Sequence, residues 1–108
     1  MSERTRRIAE NEDIFRSVNE QLRSLKSPLT VVSDSLDIVC ECGARSCTER
    51  ISVPTDEYGR VREDSTLFIT RPGHDFPETE TVESKHERYW VVRKHPGLPA
   101  ELARQLDS

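Results

Sequence analysis

Cys40-Glu41-Cys42-Gly43-Ala44-Arg45-Ser46-Cys47 places three thiols within eight residues of a chain that contains no other cysteine. Such concentration needs a reason. A disulfide between Cys40 and Cys42 would close a very small, strained ring, and an odd number of thiols leaves one over in any pairing scheme. Metal ligation explains the cluster better than buried or incidental free thiols do. Zinc takes four tetrahedral ligands at roughly 2.0 to 2.3 Å, and thiolates flanking a glycine turn can converge because Gly43 allows backbone conformations closed to other residues. The spacing is not the common C-x2-C knuckle, and one such half-site supplies only three ligands.

The fourth ligand is sought among His74, His86 and His95. His74 is favoured. It follows Pro72-Gly73 at a tight turn, where a short rigid loop can aim an imidazole at a distant hairpin tip, and Asp75 beside it offers a carboxylate to orient the ring. His86 lies in the polar connector Lys85-His86-Glu87-Arg88 and His95 adjoins Pro96-Gly97, positions that read as surface. Four protein ligands would leave zinc no open position for water or substrate, so the site reads as structural and the chain as non-enzymatic. Cys47 with His74 as nucleophile and base is the weaker reading, with no nucleophile-elbow sequence to support it. The H-x-E and P-C-x-x-C pattern of zinc deaminases is also missing.

Outward from the cysteines, Leu36 to Cys42 and Thr48 to Val53 read as the strands of a zinc-ribbon-like hairpin. Pro54 to Glu63 reads as a short helix capped by Thr55. Leu67 to Thr70 reads as a strand stopped by Arg71-Pro72-Gly73-His74, and Thr79 to Ser84 with Tyr89 to Lys94 as a second hairpin. The alternate Glu78, Glu80 and Glu83 read as the wet face of an edge strand. Leu98 to Leu106 should form a terminal helix, with Pro99 tolerated in its first turn. An α+β fold with a small antiparallel or mixed sheet follows. It forms a single domain over 1–108: a helix at 4–26, a zinc-stabilised core at 36–95 and a helix at 98–106.

The N-terminal segment holds Ile8, Phe15, Val18, Leu22 and Leu25 three and four residues apart, without Gly or Pro, so it reads as an amphipathic helix ended by Pro28. Written as heptads, Asn11 joins that seam as a single polar insertion. Packing of this stripe on the chain's own sheet is the favoured reading. Any part left uncovered would engage a protein partner or a second copy of the chain.

Apolar residues make up 33% of the chain and charged residues an equal share, so a core alone sets little against an ordering cost of roughly 1.5 kcal/mol per residue. A structural zinc contributes on the order of 10 kcal/mol of apparent folding free energy where the metal-free chain is disordered. The net charge of −4, with both signs interspersed, weighs against nucleic acid as a partner. Nucleic-acid association through Arg45, Arg50, Arg60 and Arg62 stays the weakest alternative, behind a zinc-thiolate redox sensor. No apolar run approaches the ~20 residues of a membrane span, and no secretory h-region follows Met1, so a cytoplasmic address is expected.

Asn11 to Leu22, Val39-Cys40-Glu41-Cys42-Gly43 with Cys47, Glu57-Tyr58, Val61-Arg62, Pro72-Gly73-His74 and Tyr89 to Lys94 together resemble a set of small uncharacterised actinobacterial proteins. The pattern there is similar to F-x-C-E-C-G, a nearby third cysteine, E-Y-E-x-V-R and a P-G-H turn. That resemblance implies Cys40, Cys42, Cys47 and His74 as the corresponding site, and it carries no assigned activity. Gly59 stands where such a segment usually has an acidic residue.

Overall fold

The computed structural model describes residues 2–25, 35–44 and 46–107, without the side chains of Ser2 and Leu25. The link expected after Pro28, Arg45 and the Leu25 side chain therefore lie outside what is described. The first element, α1, is a helix over Ser2–Leu25. Its docked side is only in part the expected apolar stripe. Ile8 and Ala9 are buried together with three polar residues, Glu12, Arg16 and Asn19, while Ile14 and Val18 are 54% and 39% exposed. The expected stripe is thus only partly covered, with Ile8 buried, Asn11, Phe15 and Leu22 half-buried and Val18 exposed.

The buried polar residues have specific partners. Asn19 brackets Val39, donating to its carbonyl and accepting from its amide, both at 2.8 Å. Arg16 lies over the Phe68 ring at 4.7 Å and donates to the carbonyls of Ser65 and Ala103 at 2.9 and 3.1 Å. Each satisfied buried bond contributes about 1 kcal/mol, whereas a buried donor left without a partner costs about 1–3 kcal/mol. Register of the helix on the body is therefore set by hydrogen bonding.

The strands β1, Ser35–Val39, and β2, Arg50–Pro54, pair antiparallel with Ile38 opposite Ile51. They form the expected hairpin, with the cysteines in its connecting loop. The next helix, α2, spans Thr55–Arg62. Pro54 rather than Thr55 occupies its cap position, and no side chain closes it. Strand β3, Leu67–Thr70, has all four residues buried, because the sheet is covered on both faces there. With β4, Glu80–Lys85, and β5, Trp90–Lys94, it makes a second antiparallel sheet in the order β3-β5-β4. The last helix, α3, runs Leu98–Leu106 after Gly97, whose φ of 96° suits glycine. The fold is α+β, with two small antiparallel sheets in place of one.

The main core crosses both sheets, joining Ile38, Val53, Tyr58, Val61, Ile69 and Val91 to Cys40 and Cys42. A smaller cluster of Phe68, Val92 and Ala103 packs near α3. Glu80 does not face water as its alternate spacing suggested. It lies on the inward face of β4 with Val82 and Ser84, buried against Lys94 at 3.0 Å, while Glu83 lies on the exposed face.

Candidate metal centre

Cys40 directly follows β1, and its amide extends the hairpin ladder by donating to the Glu49 carbonyl at 2.9 Å. Between them the chain makes a turn in which the Cys47 amide donates to Ala44 at 3.0 Å, bringing Cys47 back towards Cys40 and Cys42. Gly43 is not in a left-handed conformation, so the reason expected for it is corrected. A Cβ there would stand 2.5 Å from Ile8 Cγ2, and the glycine is needed because α1 presses directly on the loop. Asn11 fastens that contact by donating to the Gly43 carbonyl at 2.9 Å.

His74 arrives from β3. Its amide donates to the Arg71 carbonyl at 3.0 Å, closing a turn that Gly73 makes possible at φ 84°. The turn is anchored beside the hairpin tip by two bonds across the sheets, Glu41 N–H to Ile69 carbonyl at 2.8 Å and Ile69 N–H to Glu41 Oε1 at 3.0 Å.

One ligand atom each from Cys40, Cys42, Cys47 and His74 lies within 4.8 Å of all the others. His74 Nδ1 is 3.6 Å from Cys40 Sγ and 3.7 Å from Cys47 Sγ. A tetrahedron with metal–sulfur bonds of ~2.3 Å and a metal–nitrogen bond of ~2.05 Å has sulfur–nitrogen edges of about 3.6 Å. Both sulfur–nitrogen distances match that geometry, and the four side chains could hold a metal ion. All three thiols are free of disulfides.

Backbone amides are aimed at all three sulfurs. Arg71 donates its amide to Cys40 Sγ at 3.2 Å, and the amides of Ala44 and Glu49 are aimed at Cys42 and Cys47. A hydrogen bond from Cys40 pulls the Cys42 thiol down to about 5, helped by Ala44 and His74 against the effect of burial. Donating that bond pushes Cys40 up, and burial adds to the rise. Burial also raises Cys47. A bound dication would displace the thiol protons.

The remaining candidates fall elsewhere. Asp75 makes no hydrogen bond to the imidazole. His86 stacks on Tyr89 at 4.4 Å between centroids, and His95 pairs with the Thr81 hydroxyl at 3.1 Å. Sequence reasoning missed Glu41, which sits between two ligands yet points into the protein. Its carboxylate accepts from Asn19 at 2.8 Å and from Tyr58 at 3.3 Å, and lies 3.6 Å from Arg62. The signal was present, since an acidic residue between two inward cysteines needs a buried cation. Arg62, named at the sequence level only under the weakest, nucleic-acid alternative, is that cation.

Comparison with protein-family models, curated proteins and solved structures finds no match to this chain. Among the described residues no helix is long and apolar enough to cross a membrane.

Proposed function

We propose that the four ligands hold one structural zinc ion and that the chain is a non-enzymatic, zinc-ribbon-like adaptor or regulatory module that engages a protein partner. The observation that carries this reading is the fit of His74 Nδ1 to two sulfurs at 3.6 and 3.7 Å. Soft thiolates with one imidazole suit zinc, and a shell of four protein ligands leaves no site for substrate. The outward side of α1, where Ile14 and Val18 are exposed beside Phe15 and Leu22, is the surface through which a partner or a second copy would be engaged. The test compares the wild-type chain with an Ile14→Glu/Val18→Glu chain by native mass spectrometry and affinity capture. A dimer or partner held by the wild type and lost from the variant supports the reading; a wild-type monomer whose capture profile equals the variant's opposes it.

A zinc-thiolate redox sensor is the second reading, favoured by the half-buried Cys47 at the rim of a site whose other sulfurs are buried. Peroxide would take two electrons from two thiolates, joining them in a disulfide; with two protons it would leave as two waters, and the ion would be released. Low peroxide should then eject zinc reversibly, and retention of zinc at doses that oxidise free cysteine counts against it. Nucleic-acid binding has less support. Arg50 pairs with Asp37, Arg60 with Glu57, and Arg62 is buried on Glu41.

A further inference from the structure

A second cluster of ionisable groups, separate from the metal centre, lies where α1 meets the larger sheet. The Lys94 ammonium is 1% exposed, and the carboxyls of Glu12 and Glu80 on either side of it are fully buried. All three ammonium hydrogens are in use. They go to Glu12 Oε2 at 3.1 Å, Thr79 Oγ1 at 3.0 Å and Glu80 Oε1 at 3.0 Å. The other Glu80 oxygen accepts the Phe76 amide at 2.8 Å. Glu12 Oε1 is left 2.8 Å from the ammonium, buried, and with no hydrogen bond of its own.

Two carboxylates against one ammonium would bury an uncompensated negative charge, which a water-free site resists by taking up a proton. No other charged group comes to the rescue among the described residues. On α1, Arg16 pairs with Asp13, and Arg4 with Glu78; on β5, Arg93 is held by Asp64 and Glu83. His95 turns to Thr81, Asp37 of β1 pairs with Arg50, and Glu101 and Arg104 of α3 are exposed. Glu41 belongs to Asn19, Tyr58 and Arg62.

We infer that Glu12 is held as a neutral carboxylic acid whose Oε1–H donates to Glu80, so that seating α1 on the body takes up one proton from solvent at neutral pH. The orphaned oxygen then gains a hydrogen, and the cluster becomes one carboxylate, one ammonium and one neutral acid. Burial, with Lys94 opposing and Glu80 assisting, raises Glu12 well above the usual carboxylate range. The sign follows from that rise. The stabilising contribution is complete below the unfolded value of about 4.3 and is lost as pH climbs through the folded value, tenfold in the folding equilibrium per pH unit.

The test is urea unfolding of the protein in a buffered excess of zinc, wild type beside Glu12→Gln, from pH 5 to 8. Glutamine has the shape of the neutral acid; its amide can donate to Glu80 while its carbonyl accepts from Lys94. The folding equilibrium constant of the wild type should fall relative to that of the variant by about tenfold per pH unit until the folded value of Glu12 is passed. Effects of the thiols are common to both and cancel. Parallel profiles would overturn the inference. Infrared difference spectroscopy gives a second readout should the variant fail to fold: folded wild type at pH 7 must show a protonated-carboxyl band, and its absence overturns the inference equally.

Discussion

The imidazole of His74 meets the sulfur of Cys40 at 3.6 Å across 34 residues of sequence, tying the loop of the first hairpin to the turn that ends β3. These two places belong to different sheets, which are also joined by the paired bonds between Glu41 and Ile69, by the Arg71 amide on Cys40 and by side chains of the shared core. An ion at this point would clamp one sheet to the other.

Removal of a ligand should therefore cost both metal and stability. Cys40→Ser or His74→Ala is expected to reduce zinc below one per chain and to lower the thermal midpoint. At fixed free zinc, each tenfold loss of affinity removes about 1.4 kcal/mol of folding free energy. Metal analysis beside calorimetry checks this, and a variant that melts like the wild type would argue against the clamp.

Gly43→Ala should destabilise the protein by about 1–3 kcal/mol, because the new methyl meets Ile8 Cγ2 at 2.5 Å. The cause can be isolated by trimming the neighbour. In the Ile8→Ala background the added methyl should cost much less, and an undiminished cost in denaturant unfolding would point to backbone strain instead.

The two sides of α1 should respond differently to charge. Ile14→Glu or Val18→Glu, at exposed positions, is expected to change stability by no more than ~0.5 kcal/mol, whereas Ile8→Glu should prevent folding. Circular dichroism melts of the three variants check this. Equal losses would mean that the positions of Ile14 and Val18 are covered as closely as that of Ile8.

Acid sensitivity has an identifiable source in Asp64. Hydrogen bonds from the Thr66 hydroxyl and amide, at 2.6 and 2.9 Å, and from Arg93 hold it down at about 2 against the effect of burial. A depressed folded value means stability that is present above the unfolded value of about 3.9 and is lost as pH falls towards 2. Asp64→Asn should flatten that part of the acid limb by less than ~1 kcal/mol, since the group is partly exposed. An unchanged limb in acid titration of unfolding would assign it to other carboxylates.

Strand and helix positions were legible where local pattern decides them. Leu67 to Thr70, bounded by polar residues and Pro72, is the strand expected, and Pro72-Gly73-His74 makes the turn expected. The candidate ligands were legible because thiols so concentrated have few other uses and because His74 follows a tight turn. What could not be read was the inward side of α1. The spacing of Ile8, Phe15, Val18 and Leu22 identifies a helix, but periodicity counts Glu12, Arg16 and Asn19 as solvent-facing unless their partners are known. Those partners, Lys94, Ser65 and Ala103, and Val39, are supplied by tertiary structure. Lys94 did carry a hint, because it falls on the same strand face as the buried Val92.

X-ray absorption at the zinc edge of the purified protein tests the central claim most directly. The account predicts one zinc per chain, bound by three sulfurs at about 2.3 Å and one nitrogen at about 2.0–2.1 Å, with no bound water. Protein that carries no stoichiometric metal when prepared under reducing conditions, or zinc with fewer than three sulfur neighbours, would contradict it.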